Sequence, residues 1–322
     1  MKPGNYLYNL PGAVRLNGSL DLPVLEQSFN EIVRRHEALR TTFKTVDGQP
    51  VQEIASTLKL ELPILDWRQL EESEREAEVL RLAEHEAQQP FDLTEGPLIR
   101  ITLIHLAETE YVALFTKHHI ISDGWSMGVL LQELSTLYKA FSTGQPSPLP
   151  ELPIQYPDIA AWQRQWLQGE VLQTQLSYWR KQLGGNLPVL QLPTDRPRSK
   201  VQTFPGATYS FSLNSAITQA LKELSQQQEV TLFMTLLTAF KTLLYRYTFQ
   251  EDILVGSPIA NRNRTEIEGL IGYFVSTLVL RTNLTGTPSF EELLQRVREV
   301  ALGAYAHQDL PFELLVEQLQ PE

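Results

Sequence analysis

The apolar residues of this chain switch period between two and 3.6 several times along its length, and that switching restricts the fold more than any other feature. Segments that alternate every second residue want a sheet face, and segments with a stripe every third or fourth residue want to lie on one. A mixed α/β architecture follows. Asp21 caps a first helix with Pro23 in its opening turn and Leu25, Phe29, Ile32 and Val33 on one face. Asp47-Gly48 then turns a hairpin between Thr41–Val46 and Val51–Ile54. A charged helix is expected over 69–88, with strands over 98–106 and 110–117. A helix with Met127, Leu130, Leu131, Leu134, Leu137 and Tyr138 on its stripe follows. After a loop over 147–157, residues 158–183 read as one long helix carrying Trp162, Trp166, Leu176 and Trp179.

The stretch 184–206 holds four prolines and three glycines and cannot form a regular element. It divides the 322 residues into a first lobe over 1–183 and a second over 207–322. In the second the alternation restarts, with a strand over 208–213, helices over 215–228 and 231–248, strands over 252–258 and 274–283, and a helix from Phe290. Both halves open with a strand that runs into a capping residue, Asp21 or Asn214, which hints at duplicated lobes.

Composition serves to exclude. Lys and Arg number 27 against 38 Asp and Glu, a net charge of −11 without a basic patch, which argues against nucleic acid and anionic membranes as partners. The chain has no cysteine, so disulfides and thiol nucleophiles are out. Its opening residues lack the apolar core of a secretory signal, and its apolar stretches near 230–240 and 270–280 are too short and interrupted to span a bilayer. The expectation is a cytoplasmic protein.

Polar chemistry concentrates in KHHIISDGWSMG, residues 117–128. An apolar strand ends at Lys117, His118 and His119 follow, and Asp123-Gly124 precede a helix. A strand end facing a helix start supplies unpaired backbone N–H groups and a turn open to close substrate approach. Three other readings compete. The histidines can be ordinary structural residues beside a helix cap. A metal site is disfavoured because adjacent strand residues point to opposite faces and no second histidine cluster completes a ligand set. Gly124-Trp125-Ser126-Met127-Gly128 also matches the G-x-S-x-G elbow of serine hydrolases and thioesterases, although six residues separate it from the apolar strand and Ser126 suits a plain N-cap.

His118-His119-Ile-Ile-Ser-Asp123-Gly124 resembles the H-H-x-x-x-D-G signature of condensation domains of nonribosomal peptide synthetases. RRHEALRTTF at 34–43, YPDIAAW at 156–162, IGYFVSTLVLR at 271–281 and HQDLPFE at 307–313 are similar to four further motifs of that family, in its order. The Asp-Gly-Trp-Ser ending is most like the subclass that joins two L-configured residues. The resemblance implies two chloramphenicol-acetyltransferase-like lobes forming a V-shaped pseudo-dimer with a tunnel between them. It implies amide formation between an upstream peptidyl thioester and the α-amine of a downstream aminoacyl thioester. Carrier domains deliver both substrates on phosphopantetheine arms, with an adenylation domain nearby, and the domain itself needs no bound cofactor and no metal.

By the same resemblance His119 faces the reacting amine, as a base or by orienting it, and Gly124 lets backbone approach the developing oxyanion. His118 is mainly structural, and Trp125 and Ser126 form tunnel wall. Asp123 shapes the loop and pairs with an arginine from the other lobe, for which Arg262 is the candidate by position. Arg34, Arg35, His36 and Arg40 are expected in packing and ion pairs. The chain departs from the family pattern at Lys117, commonly apolar, and at Ser276, usually Asn. The family's first motif, S-x-A-Q-x-R, and its last, R-D-x-S-R-N-P-L, are not found, so an internal fragment of a larger synthetase is expected. A non-catalytic module that only docks carriers is the other alternative.

Overall fold

The computed structural model describes residues 4–196 and 206–320. The chain forms two compact units, one of Met1–Gln165 with Arg262–Val275 and one of Trp166–Asn261 with Ser276–Glu322. In the first, β1 (Asn9–Asn17), α1 (Leu22–Arg35), a hairpin of β2 (Thr41–Val46) and β3 (Gln49–Ile54), and β4 (Ile64–Asp66) come first. Then follow α2 (Glu72–Gln88), β5 (Ile99–Ala107), β6 (Glu110–His118), α3 (Gly124–Ser142) and α4 (Tyr156–Trp166). The main sheet runs β1-β6-β5-β4, with β4 and β5 parallel and the other pairs antiparallel.

Period-two alternation decides what each sheet face meets. Ile99, Ile101, Leu103, Tyr111 and Ala113 pack on one side with Leu25, Phe29, Ile32 and Val33 of α1 and Leu130 and Leu137 of α3. Ile104, Leu106, Val112 and Leu114 pack on the other with Val79 of α2. The Asp21 carboxylate accepts from the Val24 amide, as the sequence predicts for the start of α1. Asp47 and Gly48 both take positive φ, 51° and 77°, which is what a two-residue hairpin turn of the sheet's own twist demands.

The second unit holds α5 (Gly169–Leu183), α6 (Ser215–Gln227), α7 (Leu232–Thr248) and β7 (Asp252–Ile259). After α8 (Thr265–Glu268), which belongs to the first unit, come β8 (Ser276–Asn283), α9 (Phe290–Ala306) and α10 (Phe312–Leu319). β7 and β8 pair antiparallel, and Leu278, Leu280, Leu294 and Val297 form the centre of this core. Asn214 and Thr231 cap α6 and α7, and Ser289 with Glu292 forms a reciprocal capping box on α9.

The structure differs from the sequence reading at four places. Residues 158–183 are two helices rather than one: the first ends at Trp166 and the second starts at Gly169, whose φ is +54°. The first lobe does not run to Leu183, because α5 packs in the second unit, where Leu176, Trp179 and Leu183 are buried and the Trp179 indole donates to the His307 carbonyl at 2.9 Å. Residues 208–213 are irregular, so the expected opening strand of the second half is absent there. The strand expected from Phe274 begins at Ser276, because Phe274 is engaged in the first unit. Within the expected linker, 184–196 has no helix or strand, and 197–205 lies outside the described residues. No helix among the described residues is long and apolar enough to cross a membrane.

Candidate active site

β6 ends at His118, held in the sheet through its backbone pairing with Asn9, and the chain turns through residues 119–121 towards α3. The two adjacent imidazoles then go separate ways. His118 is buried; its Nδ1 accepts from the Ile120 amide at 3.1 Å, which puts its proton on Nε2. Its ring stands near Tyr8 and Phe91, and burial first, then the neighbouring His119, pulls its pKa down to about 4. It is neutral at any physiological pH.

His119 has the opposite tautomer. Its Nδ1 lies 2.8 Å from the Ser122 carbonyl oxygen, which can only accept, so Nδ1 carries the hydrogen and the neutral ring keeps its lone pair on Nε2. The His119 amide donates to the Tyr8 carbonyl, and the Tyr273 ring meets the imidazole edge to face, 5.0 Å between centroids at 83°.

Asp123 is the N-cap of α3: its Oδ1 accepts from the Ser126 amide at 2.8 Å and from the Ser126 hydroxyl at 2.7 Å. Its Oδ2 accepts from the Phe274 amide at 3.0 Å. Arg262 Nη2 lies 3.3 Å from Oδ1 and 3.4 Å from Oδ2, and donates to Ser126 Oγ at 3.0 Å. Its Nη1 donates to the Ile267 and Leu270 carbonyls, and its guanidinium lies over the Phe274 ring. Burial lowers the Arg262 pKa, and Asp123 opposes that. The expected Asp123–Arg262 pair therefore exists, but Arg262 belongs to the same compact unit as Asp123 rather than to a second lobe.

Ser126 is not the N-cap; Asp123 is. The Ser126 hydroxyl is buried, accepts from the Gly272 amide at 3.1 Å and lies 3.0 Å from the Gly272 carbonyl. An oxygen so enclosed, with no imidazole among its hydrogen-bond partners, is not built as a nucleophile. Trp125 is about half exposed and its indole donates to the Glu268 carbonyl at 2.8 Å. A Cβ placed on Gly124 would meet nothing within 4 Å, so the first turn of α3 is open there.

Sequence reasoning expected Arg35 and His36 in ion pairs and missed their partner, Glu133, and the support given by Tyr156. Arg35 donates through Nε and Nη2 to Glu133, and His36 Nε2 lies 3.0 Å from the same carboxylate. Burial pushes the Glu133 pKa up, but the hydrogen bonds from His36 and Arg35 prevail and it stays below the usual range. His36 Nδ1 in turn accepts from the Ile271 amide at 3.2 Å. The Tyr156 hydroxyl donates to the Tyr273 carbonyl at 2.9 Å, with burial raising its pKa to about 12. Gly272 is required, since a Cβ there would sit 2.3 Å from the Tyr156 ring. Glu133 left one signal, a carboxylate on the buried stripe of α3 between Leu130 and Leu137. Lys117 faces an apolar cavity of about 60 Å³ lined by Phe29, Ile101, Phe115 and Leu130, and burial lowers its pKa to about 8.

Comparison with known proteins places this arrangement. The chain is 57% identical over 314 residues, 98% of its length, to one of the linear gramicidin synthase subunits of Brevibacillus parabrevis, and 56% identical over all 322 residues to another subunit of that synthase. It spans 6% of the length of each. The X-domain in its complex with OxyB from teicoplanin biosynthesis superposes with a TM-score of 0.88 at 30% identity, covering 100% of this chain and 70% of that one. The condensation-domain family model matches residues 1–322, and the chain belongs to the condensation-domain family.

Proposed function

We propose that this chain forms a peptide bond between two substrates tethered to carrier domains by phosphopantetheine thioesters. The downstream α-amine attacks the upstream thioester carbonyl and its surplus proton passes to His119 Nε2; the tetrahedral oxyanion collapses, the C–S bond breaks, and the departing thiolate takes that proton from His119. The observation that carries the reading is the His119 tautomer, since the Ser122 carbonyl occupies Nδ1–H and leaves Nε2 as the acceptor. Amide groups in the first turn of α3, at the open position of Gly124, suit the oxyanion. Because the thioester arrives activated, no covalent nucleophile is required, and holding amine and carbonyl together supplies much of the rate.

The finer parts of the reading are that the joined residues are both L-configured, that the two lobes form a V with the substrates meeting between them, and that carrier and adenylation domains flank the chain. The sequence motifs support the first two, and the synthase relatives, of which this chain spans 6%, support the flanking domains. Substituting His119→Ala is expected to lower product formation from two loaded carriers by roughly 10²-fold, the range of a positioned acid–base group. Undiminished product would overturn its role.

A further inference from the structure

His119 is held at its backbone and at Nδ1, and neither contact stops the imidazole from tilting about the Nδ1 hydrogen bond. What stands against the ring is Tyr273, edge to face at 5.0 Å. Tyr273 itself sits in an unusually constrained stretch of backbone. Three of the four amides from Ile271 to Phe274 are captured by buried side chains remote in sequence: Ile271 by His36, Gly272 by Ser126 and Phe274 by Asp123. The carbonyl of Tyr273 accepts from Tyr156, and the missing side chain at Gly272 lets the Tyr156 ring close in. All these residues lie in the first compact unit.

Within the seven residues between Glu268 and Ser276, this anchoring fixes one ring beside one imidazole. We infer that Tyr273 is a positioning residue for His119: its ring blocks the tilt of the imidazole and so keeps Nε2 aimed at the amine. This deepens the proposed role of His119 and rests on it. The contact is made by the ring, so the phenol oxygen is dispensable to it. Preorganisation of this sort acts on the chemical step, so it is read in kcat rather than in KM.

The test compares Tyr273→Ala and Tyr273→Phe in the whole protein with loaded carriers, alongside ¹⁵N spectra of the His119 imidazole. Tyr273→Ala is expected to lower kcat by roughly tenfold with KM nearly unchanged, and to broaden the His119 ring-nitrogen resonances as the imidazole samples several tilts, with Nδ1 still carrying its hydrogen. Tyr273→Phe should restore both. In a His119→Ala background, Tyr273→Ala should cost nothing further. Failure of Phe to rescue, unchanged spectra in Tyr273→Ala, or a full tenfold loss in the His119→Ala background would each overturn the inference. If His119→Ala alone leaves condensation intact, the catalytic reading falls, while the spectra still decide whether Tyr273 orients the ring.

Discussion

Asp123 shows how far a single residue's role can be read before its partners are known. The Asp-Gly pair ahead of an apolar stripe marks a helix start, and Asp123 does cap α3. Its carboxylate is also filled: the Ser126 amide and hydroxyl, the Phe274 amide and Arg262 all point at it, and it is 3% exposed. Nothing in the local sequence reveals that Ser126 reaches Gly272, 146 residues away, which is why Ser126 reads as a cap when it is a bridge. A carboxylate with no free lone pair towards solvent holds structure rather than protons. Asp123→Ala strands a buried guanidinium, so it should destabilise by about 3 to 5 kcal/mol. Thermal unfolding beside a condensation assay checks this. An inactive variant that melts like the parent would make Asp123 catalytic instead.

Elements with a clear period were legible, and those without one were not. α1, the β2–β3 hairpin, α6 and α7 form where stripe, cap and turn residues agree. β4 has only three residues and shows no alternation, so its parallel pairing with β5 is invisible until β5 is in place. The break between α4 and α5 was hidden because no proline or turn pair marks residues 167–168, and the single glycine at 169 reads as tolerable within a helix. Within α3 the buried Glu133 holds α1 through Arg35 and His36. Removing only the acid, as in Glu133→Leu, leaves an unpaired buried guanidinium and should cost about 3 to 5 kcal/mol. Adding Arg35→Met should recover much of that, because buried ion pairs are often replaceable by apolar residues of similar size. Denaturant midpoints of the single and double variants measure the difference. A double variant no more stable than Glu133→Leu would mean the network does more than balance charge.

Across the whole molecule, the composition break and the compact units fall at different places. Composition finds a break after α5, whereas packing assigns α5 to the second unit and brings Arg262–Val275 to the first. Contacts made by a returning segment depend on partners more than a hundred residues away, and no local period records them. Each unit nevertheless carries the same unusual feature, a lysine inside its core. Lys117 is 1% exposed in the first, and Lys241 is fully buried in the second, where its ammonium donates to the Leu280 carbonyl and the Thr282 hydroxyl. Burial lowers their pKa values from 10.5 to about 8 and about 7. Between those values and 10.5 the unfolded chain binds protons that the folded chain has released, so stability rises with pH across that window and the full charging penalty applies below about pH 7. His118 acts in the same direction lower down, between about 4 and 6.5. Tyr156 opposes them at the top: with its pKa raised from 10 to about 12, the folded chain keeps a proton that the unfolded chain loses, and stability falls above pH 10. Melting temperature should therefore climb from pH 5 to a maximum near pH 9 or 10 and then decline. Lys117→Met fills the same apolar site without a charge, so it should stabilise on the order of 2 kcal/mol at pH 7 and flatten the climb between about pH 8 and 10.5. A Lys117→Met protein that melts below the parent at pH 7 would mean that the buried ammonium has a partner worth more than its desolvation.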